Sequence, residues 1–375
     1  MKKVFFLLAF LAYTLICSAQ TDKTKIPTDN KLKTKLDSLV DRSVFTFMNN
    51  NSRVGISIGI IKDGKQFIYN YGSTQREKQE LPTGNTVYEL ASISKTFASA
   101  LLARAVLENK VNLNDDVRKY LKEEYPNLGS NGKPITLLNL ANLTSGLPNW
   151  MPDKDLFGKA NPDDIPHILD SVHKKYTRQD FYRDLHNVKL QATPGTVSRH
   201  CNTAAQLLGY IMESVYNKSY EKLLEMYFIN PLKMKNTSLL KSGKIPIKMA
   251  KGYDIKGRIM PIIDWEDLQV AASVASSISD MLKYMAFQMN EKDAAVKLSH
   301  VPTFGNIEDN AIALNWKVKK TNNIRSISHT GGSLGFSSYM IFYPDLNSGV
   351  VLLSNQADQS TQNELIALSD LILKP

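Results

Sequence analysis

Residues 89–102 read ELASISKTFASALL, and within them Ser92-Ile93-Ser94-Lys95 opens a run that stays apolar to about residue 108. A helix over 93–108 with so few polar positions is predicted to be buried on most sides. Residues three apart on a helix share a face, so the Ser92 hydroxyl and the Lys95 amine can meet. The helix N-terminus adds partial positive charge and free N–H groups, which favour an anion developing at Ser92. Burial disfavours an ammonium, so Lys95 is expected to have a lowered pKa and to activate the serine as a nucleophile. Taken alone, S-x-x-K arises by chance, and a serine cap beside a snorkelling lysine accounts for it as well.

The pattern on either side decides where that helix sits. Leu32, Leu36, Leu39, Val40, Val44 and Phe47 recur at helical spacing in residues 31–48. From Val54 to Ile60 large and small residues alternate, and Asp63-Gly64 separates this run from the next, a strong hairpin signal. Strand patterns return only near the C-terminus, in AIALNWKVKK, IRSISH, FSSYMIFYP and GVVLLSN, before an amphipathic segment with Leu365, Leu368, Leu371 and Ile372. The early and late strands are expected to form one antiparallel sheet flanked by helices, an α+β fold. Residues of about 20–110 and 300–375 make this lobe, and about 111–299 an inserted, mainly helical one. No internal repeat interrupts the 375 residues, and one domain spans 20–375.

The first 19 residues, MKKVFFLLAFLAYTLICSA, run from lysines through an apolar stretch to small residues, the order of a secretory signal peptide cleaved after Ala19. The apolar run is shorter than the ~20 residues a stable membrane span needs. Bulky Ile16 before Cys17 argues against lipidation. The chain is therefore expected to be exported, periplasmic or secreted. Cleavage would leave Cys201 as the only cysteine, without a disulfide partner. Net charge is +10, or +8 without Lys2 and Lys3, but the lysines are scattered rather than striped with aromatics, which argues against nucleic-acid binding.

Two further motifs accompany Ser92 and Lys95. Pro194-Gly195-Thr196 precedes His200-Cys201-Asn202, and His329-Thr330-Gly331-Gly332 ends a predicted strand. With the flanking stretches LNDDVRKYL (113–121), ITLLNLANLTSGLP (135–148), INPLKMKNTSLL (229–240) and SSISDMLKYM (276–285), the chain resembles the serine β-lactamases and penicillin-binding DD-peptidases, in their class C-like branch. The resemblance covers roughly residues 30–370 in order. It implies that Ser92 is acylated, that Lys95 takes or relays its proton, and that the N–H groups of Ser92 and Gly332 form an oxyanion hole. It also implies that Asn202, His329, Thr330 and Gly331 bind substrate. The implied substrates are D-Ala-D-Ala-like wall peptides, β-lactams or small esters and amides, with no metal or cofactor and a monomeric protein. A catalytically weakened wall-peptide binder is the alternative.

His200 departs from the pattern, because it stands where relatives carry a tyrosine. An imidazole transfers protons near neutral pH, with an unperturbed pKa of ~6.5 against ~10 for a phenol, but it is shorter. His200 is expected to act as the general base, or to share the proton with Lys95, so that acylation falls at mildly acid pH. A nucleophilic Cys201 is disfavoured, since adjacent side chains diverge. His167 and His173 are six residues apart and do not share a helix face, which argues against a metal pair. Asp163 and Asp164 read as helix-capping acids, and Trp150-Met151 as a loop bordering the cleft.

Overall fold

The computed structural model describes residues 26–50, 52–152 and 160–373; the segment read as a signal peptide lies outside them. The first lobe begins with α1 (Lys35–Met48), β1 (Gly55–Lys62) and β2 (Lys65–Gly72), followed by β3 (Val87–Glu89) and α2 (Ser94–Leu107). Asp63 and Gly64 both take positive φ, 51° and 75°. That is the two-residue hairpin turn whose twist matches the strands, and it sets the β1–β2 register with Lys62 opposite Lys65.

The middle of the chain holds the short pair β4 (Gly129–Ser130) and β5 (Lys133–Pro134), then α3 (Leu137–Ala141), α4 (Ile165–His173), α5 (Arg178–Leu185), α6 (Asn202–Tyr216) and α7 (Tyr220–Leu224). After β6 (Ser238–Leu239) come β7 (Val274–Ser277), α8 (Ile278–Met289) and α9 (Ala294–Ser299). The C-terminal strands are β8 (Ala311–Ile312), β9 (Lys317–Thr321), β10 (Ile324–Gly332), β11 (Ser337–Tyr343) and β12 (Ser348–Ser354), and α10 (Gln359–Ile372) follows them.

Early and late strands join as expected in one antiparallel sheet, ordered β2-β1-β12-β11-β10-β9-β8. Ile56, Ile58 and Ile60 of β1 pack with Val40, Val44 and Phe47 of α1 and with Leu365, Leu368 and Ile372 of α10. The other face takes α8. A Cβ at Gly59 would stand 2.9 Å from the Leu282 side chain, so the small members of the β1 alternation are what let α8 lie on the sheet. The return to the sheet lobe thus begins at α8, ahead of the boundary near 300 read from the sequence.

α2 is buried along most of its length, as its composition predicts: Ser94 to Ala103 are all buried, Lys95 among them. At the start of α4, Asn161 supplies the side-chain cap by accepting from the Asp163 N–H at 3.1 Å. The two aspartates read as caps do otherwise. Asp163 pairs with Lys256 and Arg258, and Asp164 makes no capping bond.

Candidate active site

Ser92 sits in a single helical turn, Ala91–Ile93, between β3 and α2. The turn is held on both sides. The Leu90 N–H donates to the Val274 carbonyl at 2.9 Å, and the Leu90 carbonyl accepts from Ser338 Oγ at 2.8 Å. Directly after these anchors Ala91 adopts φ 48°, a left-handed conformation that a non-glycine residue keeps only where its surroundings enforce it.

Lys95 lies one turn on, fully buried. Its Nζ is 2.8 Å from Ser92 Oγ, 2.8 Å from Asn202 Oδ1 and 2.8 Å from the Ala271 carbonyl. Burial pulls its pKa from 10.5 down to about 7, because the ammonium is deprived of water. In the neutral amine, two N–H groups satisfy Asn202 and Ala271 and the lone pair faces the serine hydroxyl. In the ammonium all three bonds are donated.

His200 reaches the same hydroxyl: its Nε2 is 3.2 Å from Ser92 Oγ. The imidazole is therefore long enough to reach the serine. Its Nδ1 lies 3.1 Å from Asn149 Oδ1. The charge of Lys95, with burial second, drives its pKa down to about 3. His200 is exposed at the cleft mouth, so the neighbouring ammonium is the cause that counts most. The direction of this shift runs against protonation of His200 in the mildly acid range.

Cys201 points away from this cluster. Its Sγ caps α6 by accepting from the Ala204 N–H at 3.3 Å and contacts the Pro148 carbonyl at 3.4 Å. Burial pushes its thiol up to about 11, the opposite of a nucleophilic thiolate. Asn202, the first residue of α6, turns inward to Lys95.

The His329–Gly332 segment closes one wall, with β10 packed beside the Ala91–Ile93 turn. His329 Nδ1 donates to its neighbour's carbonyl, Thr330 O, at 2.6 Å. Burial and then the Lys95 charge lower its pKa to about 3, so it is a neutral ring. Gly331 is where the strand touches the turn that carries Ser92: a Cβ there would be 2.2 Å from Leu90 O. Its lack of a side chain serves that close approach. Gly332, by contrast, is exposed and borders a groove of about 420 Å³ lined also by Ser333, Arg258, Met260 and Gln362. A depression of the same size on the far side of the sheet, against Leu39 and Tyr343, contains none of these groups.

The cluster thus joins Ser92, Lys95, His200, Asn202, His329 and Gly331, from three separated stretches of chain. A family model described as Beta-lactamase matches residues 40–372. The chain belongs to the Beta-lactamase family. Among solved structures, a class C beta-lactamase is 25% identical with a TM-score of 0.75, covering 90% of this chain and 95% of that one. The D-alanine carboxypeptidase AmpC from Burkholderia cenocepacia shares the fold at 22% identity and a TM-score of 0.73, covering 90% and 98%. The Beta-lactamase of Lysobacter lactamgenus is 26% identical over 92% of this chain and 93% of its own. Protein flp of Staphylococcus aureus (strain MRSA252) is 29% identical over 80% of this chain, which spans 59% of that protein's length.

Two contributors to the cluster had no signal in the sequence. Ala271 acts through a backbone carbonyl, which no motif can mark. Asn149 follows directly on the 135–148 stretch, and nothing in its spacing ties it to residue 200. The histidines weighed for a metal are apart in role. His167 is exposed, while His173 is buried on Asp267 at 2.7 Å and stacked on Trp265. Trp150 packs against His173. Among the described residues, no group of three or more His, Cys, Asp or Glu could hold a metal ion, and no helix is long and apolar enough to cross a membrane.

Proposed function

We propose that the protein is a serine hydrolase that acylates Ser92, acting on D-Ala-D-Ala-like wall peptides or β-lactams. The observation that carries this reading is the Ser92 hydroxyl held between two basic nitrogens, Lys95 Nζ at 2.8 Å and His200 Nε2 at 3.2 Å. Ser92 Oγ attacks the substrate carbonyl while its proton passes to His200 or Lys95. The N–H groups of Ser92 and Gly332 receive the oxyanion, and Asn202, with His329 and Thr330, holds the substrate. The proton then goes to the leaving group, and water releases the acyl group. Export through residues 1–19 would bring the enzyme to such substrates, and mass determination of the mature N-terminus checks it.

One observation favours small neutral esters as a second substrate class. His329 Nδ1 is committed to the Thr330 carbonyl, so the ring offers a substrate carboxylate at most one donor. Purified protein incubated with a fluorescent penicillin, a chromogenic cephalosporin and p-nitrophenyl acetate separates the cases. Stable penicillin label indicates a peptidase-like enzyme, cephalosporin turnover a β-lactamase, and ester turnover alone an esterase. Each must vanish in Ser92→Ala. Absence of Ser92-dependent reaction with all three refutes the enzyme and supports a binding protein.

A further inference from the structure

We propose that Asn149 is a positioning residue for the imidazole: it fixes His200 with its proton on Nδ1, so that Ser92, His200 and Asn149 form a hydroxyl–imidazole–amide relay. This rests on the reading of His200 as an acceptor of the serine proton. The deciding geometry lies at Asn149 Oδ1, which receives the backbone N–H of Asn202 at 3.0 Å as well as facing His200 Nδ1 at 3.1 Å. A backbone N–H can only donate, so the side-chain atom before it is the amide oxygen and the amide cannot be turned over. An oxygen against Nδ1 requires a proton on Nδ1. A neutral imidazole has one ring proton, so Nε2 is left with its lone pair, 3.2 Å from Ser92 Oγ.

The amide is itself held. The Asn149 backbone carbonyl accepts from Asn202 N–H at 3.2 Å and from Thr203 N–H at 3.3 Å, which ties residue 149 to the first turn of α6. In the reaction, the O–H bond of Ser92 breaks as the carbon–oxygen bond to the substrate carbonyl forms. The proton moves to Nε2, and the imidazolium keeps its Nδ1–H on Asn149 until Nε2 returns the proton to the leaving group. A phenol in place of His200 would have one polar atom and no tautomer to choose, so the need for Asn149 arises with the imidazole. The titratable groups whose fields reach this ring are Lys95, His329 and Lys317. None of them is acidic, and the relay ends in an uncharged amide.

The test uses the full chain. Proton–nitrogen correlation NMR of the His200 ring, above the pH at which Lys95 is charged, is expected to show the proton on Nδ1. A proton on Nε2 overturns the proposal without touching the proposed function. Acylation by fluorescent penicillin, or by p-nitrophenyl acetate if penicillin does not label, is expected to slow roughly 10- to 100-fold in Asn149→Leu, the loss of one hydrogen bond to a catalytic group. In a His200→Ala background the same change should slow it no further. Equal slowing in both backgrounds makes Asn149 merely structural and overturns the relay. Asn149→Asp keeps the acceptor and adds an anion, so the His200 ring is expected to titrate at higher pH by NMR in this variant than in wild type; an unmoved ring titration counts against the relay. His200→Ala acylating at the wild-type rate refutes the base role itself.

Discussion

Replacing Lys95 by methionine should remove a pH dependence of stability that the buried amine imposes. The folded-state pKa is about 7 against 10.5 for the unfolded chain. Between these values the unfolded state binds the extra proton, so wild-type stability rises with pH. Its Lys95 contribution is complete above the unfolded value and is lost as pH falls toward 7. Integrated from about pH 7 to pH 9, the gain is about 2 kcal/mol. Urea unfolding midpoints at these two values, for wild type and Lys95→Met, measure it as a difference of differences. Glu89, whose carboxyl burial raises to about 7, titrates in both proteins and cancels. Buried Tyr284 is shifted upward, so its ionisation lies above the window. Equal slopes in the two proteins would mean that the amine keeps its ordinary pKa. Lys95 could not then act as a base near neutral pH.

Two other substitutions probe the walls of the site. Gly331→Ala should destabilise the fold by about 1–3 kcal/mol, the usual penalty of overpacking, because the new Cβ would fall 2.2 Å from Leu90 O. It should also slow acylation, since Leu90 anchors the turn that carries Ser92; an unchanged melting temperature and rate would show that β10 is free to shift. Cys201→Ser should keep both acylation and stability, because a hydroxyl also caps a helix. Loss of Ser92-dependent acylation in that variant would revive the cysteine as a chemical participant.

Local chemistry made part of this molecule legible in advance. The Asp63-Gly64 turn, the buried α2 and the convergence of early and late strands each follow from patterns confined to a few residues. Ser92 and Lys95 were legible for the same reason, since three residues on one helix decide their contact. The resemblance implied Gly331 only as a substrate-binding residue, and its close approach to Leu90, just before Ser92, had no signal in the sequence. The charge that lowers the His200 pKa, Lys95, is remote in sequence and gave no signal there. Asn149 and the Ala271 carbonyl were invisible because only the docking of α6 and of the loop before β7 brings them to the site.

The bonds that converge on Lys95 and Ser92 join residues 107, 108 and 176 positions apart. Such contacts form only after large loops have closed, and the entropy of closure precedes any reward from the contact. The buried lysine has its third acceptor only when the Ala271 loop has docked, and the serine meets the imidazole only when α6 has. The assembled cluster is therefore a property of the whole chain, and if Ser92 is acylated as proposed, recovery of Ser92 labelling during refolding would report its completion.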